Sequence, residues 1–216
     1  MSMSRRTLSA LVVALFATAS LSAASVQGSF QRTFQVSGPV DLEVLTRSGD
    51  ITVRSGPAGT VSVNGKIHVS DRWFEGTRQS DVSELEKNPP VRQSGNSIHI
   101  DYVNMRNISI DYDITVPADT VRARSGSGNQ EIDGLRSKLD LESGSGDMPA
   151  EAGSGDIRVE AKGSGDVRVH TGSGNIELHQ VNGAMRAEAG SGDVRVDGVQ
   201  KGENASVSHS NKVSYR

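Results

Sequence analysis

From Ile157 the chain alternates strictly: Ile157, Val159 and Ala161 are apolar, while Arg158, Glu160 and Lys162 carry charge. The same pattern returns in Val-Arg-Val-His from Val167, Ile-Glu-Leu-His from Ile176 and Val-Arg-Val-Asp from Val194. Period two with β-branched residues predicts short strands that bury one face. Earlier segments read the same way: Val40–Leu45, Asp50–Arg54, Val61–Val69, Ser97–Val103 and Ile108–Pro117. Residues 70–95 break this rhythm. Within them Ser80 or Asp81 is placed to cap a short helix through Lys87, stopped by Pro89 and Pro90.

The strands are punctuated by Gly-Ser-Gly-Asp or Gly-Ser-Gly-Asn. The turn residues are Gly126, Gly128 and Asn129; Gly144, Gly146 and Asp147; Gly153, Gly155 and Asp156; Gly163, Gly165 and Asp166; Gly172, Gly174 and Asn175; and Gly190, Gly192 and Asp193. Successive acidic or amide positions are 18, 9, 10, 9 and 18 residues apart, so the unit is nine or ten residues with two degenerate turns. Glycine supplies positive φ without a Cβ clash, and Asp or Asn tolerates such conformations and bonds its own backbone, so these positions are read as structural turn formers.

A strand of about five residues cannot bury its apolar face alone, so repeats must stack. A one-unit coil would set Arg158 beside Arg168 and Arg186 beside Arg195. A coil of two units, about 18 residues, gives the outward ladder Asp140, Arg158, Glu177, Arg195, alternating in sign. Opposite charges across neighbouring strands contribute about 0.2 to 1 kcal/mol and like charges cost a similar amount, which favours the two-unit coil. That register stacks Leu139, Ile157, Ile176 and Val194 on one inner wall and Met148, Val167 and Met185 on the other, with Ala150, Val169 and Ala187 as a small-residue layer. The prediction is an all-β chain: a β-solenoid of two parallel sheets with a short helix-containing insertion. Arg47–Gly56 is a degenerate copy of the repeat, which extends the stack toward the N-terminus, and the segment from Gly202 is expected to form a frayed last coil.

Composition agrees with a thin β structure: 24 glycines, 4% aromatic residues and no cysteine among 216 residues. The missing cysteines exclude disulfides, a lipid-modified N-terminus and thiolate metal ligands. With 26 acidic against 23 basic side chains, no net positive field draws the chain to nucleic acid or anionic lipid. At the start, Arg5 and Arg6 precede an apolar run from Leu8 to Leu21 and then small residues, which reads as an export signal over residues 1–24, cleaved after Ala23 or Ala24. The run is shorter than the about 20 residues of a spanning helix, so a retained anchor is the lesser reading. The Arg pair weakly resembles a twin-arginine signal, but Leu8 and Ser9 depart from that pattern. Residues 25–216 are expected to form one domain of periplasmic, cell-surface or secreted location.

The signal, the strand Asp111–Ala118 leading into Val121–Leu135, and the run of Gly-Ser-Gly-Asp strands resemble a bacterial adhesin family, a β-strand-repeat domain of unknown function, over about Val36 to Val199. The resemblance implies an exported β-solenoid and supplies no catalytic residues; the family's adhesin label is itself inferred.

Candidate chemistry is thin. The calcium reading of glycine-aspartate nonapeptides fits poorly, because here Asp follows Gly directly and Asn replaces it at 129 and 175. His68, His99, His170, His179 and His209 sit in alternating or polar contexts that point to solvent, and the two-unit coil places His170 and His179 on opposite sheets, too far apart to share an ion. Glu142, Glu160 and Asp197 form an outward row with His179, but turns this short build no cleft for glycosidase or lyase chemistry. No catalytic, cofactor or metal residue is assigned. Trp73 and Phe74 offer a ligand platform or, alternatively, a cap over an open edge. Two functions follow: a noncatalytic module that contacts an envelope protein or extracellular polymer and can self-associate through its ends, or a polysaccharide-binding or polysaccharide-degrading module using Trp73 and the acidic row.

Overall fold

The computed structural model describes residues 26–215, except 71–74, 106, 118–119, 136–137, 163–164, 199–204 and 209–211. The proposed signal, Trp73, Phe74, Gly163 and His209 therefore lie outside the described residues.

Strands alternate between two nine-stranded sheets. Sheet A contains β1 (Val26–Gln35), β3 (Ile51–Ser55), β4 (Thr60–Val69), β7 (Ile108–Val116), β9 (Gln130–Leu135), β11 (Met148–Ser154), β13 (Val167–Ser173), β15 (Met185–Ser191) and β17 (Ala205–Ser208), in the order β1-β4-β7-β3-β9-β11-β13-β15-β17. Sheet B contains β2 (Asp41–Ser48), β5 (Val91–Ser94), β6 (Ser97–Ile100), β8 (Thr120–Ser127), β10 (Leu139–Ser145), β12 (Ile157–Ala161), β14 (Ile176–His179), β16 (Asp193–Asp197) and β18 (Lys212–Tyr215). It runs β18-β16-β14-β12-β10-β8-β2-β6-β5.

The two-unit coil is the observed register. Leu139 pairs with Ile157, Ile157 with Ile176 and Ile176 with Val194, all parallel. On sheet A, Met148 pairs with Val167 and Val167 with Met185, with Ala150, Val169 and Ala187 stacked beside them. All of these side chains are buried and belong to one continuous core. The segment after Gly202 contributes β17 and β18, which add a parallel strand to each sheet.

The N-terminal end departs from an all-parallel stack. β2 and β3 form a coil whose next neighbours are β8 and β9, so Leu42 pairs with Val121 and Ile51 with Gln130. Between them the chain makes a long excursion in which β4 runs antiparallel to both β1 and β7, and β5 runs antiparallel to β6. Side-chain alternation is the same in parallel and antiparallel strands, so this change of direction leaves no mark in the pattern.

The helix α1 (Glu75–Lys87) begins before Ser80, contrary to the expected cap at Ser80 or Asp81. Its packing explains why the helix is retained there: Val82 and Leu85 are buried in the core cluster and the helix lies against β1. Glu86 accepts a hydrogen bond from the Ser29 amide at 3.0 Å, and the Arg32 guanidinium donates to the terminal carbonyls of Glu86 and Lys87 at 3.0 and 2.8 Å. A guanidinium on the last carbonyls satisfies acceptors that the helix leaves orphaned and complements its dipole. The helix thus covers an edge that would otherwise offer unpaired backbone groups. At the same end Phe30 meets Tyr112 edge-on, with centroids 6.3 Å apart, and burial pushes the Tyr112 phenol well above the usual tyrosine range.

Candidate functional site

The repeated turns are a structural column. In one corner the Oδ1 atoms accept backbone amide protons from the next coil: Asp50 from Asn129 at 2.8 Å, Asn129 from Asp147 at 2.9 Å and Asp147 from Asp166 at 2.9 Å. Asp111 begins this column by accepting from Asp50, and Asp166 ends it by accepting from Ala184, which has no side-chain acceptor to pass the bond on. The opposite corner repeats the device through Asp156, Asn175 and Asp193. Two details of the sequence reading are corrected here. These Asp and Asn residues do not adopt positive φ, since among the described residues the non-glycine ones that do are Asn107 and Gln180, and the turn Asp and Asn side chains bond the neighbouring coil. Asp and Asn interchange because each presents the same Oδ1 acceptor.

The glycines divide the remaining work. Gly128, Gly146, Gly155, Gly174 and Gly192 have positive φ. Gly126, Gly144, Gly165, Gly172 and Gly190 do not, but a Cβ on any of them would lie 1.8 to 2.6 Å from a backbone oxygen of the preceding coil. Coil-to-coil approach therefore requires glycine at Gly126, Gly144, Gly172 and Gly190, the first glycines of their turns, and at Gly165, the second of its own. The carbonyl of Gly153 is one such neighbour, lying against Gly172.

The outer face of sheet B is electrostatically closed. Asp140 pairs in register with Arg158, Arg158 with Glu177 and Glu177 with Arg195. Arg158 reaches Glu177 at 3.2 Å, Arg122 grips Asp41 at 2.9 Å and Arg195 holds Asp197 at 3.0 Å. The expected row is present, with Glu142 beside Glu160, Glu160 beside His179 and His179 beside Asp197. Lys162 binds both Glu142, at 2.6 Å, and Glu160, at 3.4 Å, and Arg124 reaches Glu142 at 3.3 Å. The hydrogen bond to Glu142 and the charges of Glu142 and Glu160 hold the Lys162 ammonium above the usual lysine range. These carboxylates are engaged in ion pairs that neutralise the row.

His68, His99 and His179 are less solvated than their contexts implied, each meeting a carboxylate, while His170 is exposed as expected. His68 lies 2.8 Å from Asp111, His99 2.8 Å from Glu43 and 3.4 Å from Asp101, and His170 3.6 Å from Glu188. His170 is in sheet A and His179 in sheet B. A grouping that the sequence spacing concealed is Glu177, His179 and Asp197, whose ligand atoms all lie within 4.8 Å of one another. It combines two positions of one strand with one from the next coil. Arg158 and Arg195 already sit on its two carboxylates, so a cation there would displace guanidinium partners.

Sheet A differs. Between β9 and β11 the register slips, with Ala150 opposite Ile132 but Ala152 opposite Leu135, which places an extra residue at Asp133–Gly134. Gly134 takes φ 71° in this bulge. Pro149, which has no amide proton, lies on the adjacent strand, and prolines inside sheets are confined largely to edges and bulges. Beside them opens a shallow trough of about 510 Å³, whose outward lining includes Glu131, Asp133, Pro149, Glu151, Arg168 and Arg186. Bulges recur next to functional sites because they re-aim side chains. Arg168 stands directly opposite Arg186 in the ladder, and Arg186 bonds Glu188 on its own strand. This pairing of like charges contrasts with the compensated sheet B; it follows from the register that stacks Val167 on Met185, whereas the trough was not evident in the sequence.

Trp73 and Phe74, the expected ligand contact or cap, fall outside the described residues; Val82 and Leu85 of α1 make the observed cover over β1. Among the described residues no helix is long and apolar enough to cross a membrane, which leaves strand-built membrane spans unaddressed.

Comparison with known proteins yields no match among curated sequences. Among solved structures, a "putative adhesin" from Bacteroides fragilis is similar at 14% identity and a TM-score of 0.33, covering 88% of this chain and 96% of that one. The sequence profile of the Toastrack DUF4097 family matches residues 39–211, well over half of the length, and includes every regular repeat. The chain belongs to the Toastrack DUF4097 family.

Proposed function

We propose that this protein is an exported, noncatalytic adhesin-like module that contacts a surface polymer or envelope protein through the outer faces of its sheets. The observation that carries this reading is the continuity of outward side-chain rows across parallel coils, joined by turns too short to build walls. Strands spaced about 4.8 Å apart present regularly repeated charges and polar groups. Such faces suit many weak contacts acting together, with avidity far above any single contact. The basic start with its apolar run supports export, and the family match supports a β-repeat interaction protein.

Glycan arrays and immobilised envelope fractions, incubated with the purified mature chain, test this function. Saturable retention is expected, rising steeply with ligand density, with the retained polymer unchanged in mass. Shortened polymer products would overturn the noncatalytic reading, and absence of retention on every surface would overturn the interaction reading.

A further inference from the structure

The dipeptide Asn-Gly occurs at Asn64–Gly65 and at Asn182–Gly183, and the fold gives the two pairs opposite settings. Asn64 and Gly65 lie inside β4, which is paired antiparallel on both sides, with Phe30 of β1 and Tyr112 of β7 opposite Gly65. Gly65 is buried, and the Phe30 ring lies over it so closely that a Cβ would approach it to 2.3 Å. Its amide belongs to the ladder, because every N–H of an inner strand points at one neighbour or the other. Asn182 and Gly183 stand between β14 and β15, where the chain passes from sheet B to sheet A. Asn182 is exposed, and among the described residues nothing accepts a hydrogen bond from the Gly183 amide. The Asn182 side chain is tied by one long bond, 3.4 Å from Nδ2 to the Lys162 carbonyl.

We propose that Asn182–Gly183 is a site of spontaneous deamidation, at which the protein converts its own asparagine to aspartate and isoaspartate. The Gly183 nitrogen gives its proton to hydroxide and attacks Cγ of Asn182. A carbon–nitrogen bond forms, the side-chain amide bond breaks, ammonia leaves, and a cyclic succinimide remains. Water then opens the ring at either carbonyl, so nothing is oxidised or reduced and water is the co-reactant. Glycine favours the step, because without a Cβ its nitrogen is open to approach and the backbone bends freely. In β4 the same step is blocked, since the strand holds its backbone extended and the Gly65 proton is engaged in the ladder. Either product sets a carboxylate where an amide donated to the Lys162 carbonyl, an acceptor facing an acceptor. Isoaspartate also adds a methylene to the main chain between Val181 and Met185, which are both anchored in the core. The modification therefore loosens the join between β14 and β15.

Peptide mapping by mass spectrometry, on the mature chain held native in mildly alkaline buffer and sampled over days, tests the proposal. Asn182 is expected to convert at least about tenfold faster than Asn64, because reaction at Asn64 waits for an inner strand to open. In denaturant, where neither pair is structured, the two rates should converge. Gly183→Ala should slow conversion at Asn182 and leave Asn64 as it was, with circular dichroism melts checking that the fold is kept. Equal rates at the two sites in native buffer, or an Asn182 that converts in denaturant but not in the native chain, would overturn the assignment. The deamidated fraction, separated by anion exchange, is expected to melt below the unmodified chain; an unchanged melting temperature would overturn the loosening of the join.

Discussion

Asp147 holds one coil to the next in both directions, donating its amide proton to Asn129 and accepting that of Asp166, each at 2.9 Å. Only the acceptor role belongs to the side chain, and an amide oxygen can fill it. Asp147→Asn should therefore leave stability nearly unchanged, whereas Asp147→Ala should cost about 0.5 to 1.5 kcal/mol, the usual net worth of one hydrogen bond. Urea denaturation of the two variants checks this ordering; a large loss in Asp147→Asn would show that charge, and not acceptor geometry, is what the turn requires.

At the scale of the element, a parallel strand in sheet B is matched to its neighbours on both faces. Inside, Ile157 stacks between Leu139 and Ile176; outside, Arg158 stands between Asp140 and Glu177. Reversing the charge in Arg158→Glu would set three acidic side chains in a row. With about 0.2 to 1 kcal/mol at each of the two contacts, a loss on the order of 1 kcal/mol is expected. Arg158 is nearly half exposed, which places the effect toward the low end, and salt should shrink it. Denaturation at low and high ionic strength checks this, and a loss insensitive to salt would point to packing as its cause. The same alternation does not extend to sheet A, where Arg168 faces Arg186. A charge rule learned on one sheet therefore gives the coil length correctly but does not describe the other face.

For the whole molecule, the two ends of sheet A are treated differently. At the N-terminal end α1 covers β1 and places Val82 and Leu85 in the core, while β17 forms the other edge. Val82 is fully buried and its Cγ1 occupies the space beside Gly28, where a Cβ would approach it to 2.4 Å. Val82→Asp would bury a carboxylate in that contact, so the helix should detach and uncover β1. A stability loss of about 2 to 4 kcal/mol is expected, as for other burials of an unpaired polar group. Exposed edges template pairing with other chains, so size-exclusion chromatography should show concentration-dependent oligomers in the variant and not in the wild type. A monomeric, equally stable variant would show that the helix is not the cover.

Strand period, turn positions and the coil of about 18 residues were determined by the sequence, because alternation and glycine punctuation are local consequences of backbone geometry. The pairing of Ile157 with Ile176 followed because a regular repeat makes the next coil the next stretch of sequence. Tertiary structure alone decided the neighbours wherever that regularity failed. Leu42 pairs with Val121 across a long excursion, β4 runs antiparallel to β7, and the bulge at Asp133–Gly134 opens the trough beside Pro149. The Asp–Asn column also belongs to that level. Each depends on which coil lies alongside and how closely, and a chain's local pattern carries neither strand direction nor the distance between coils.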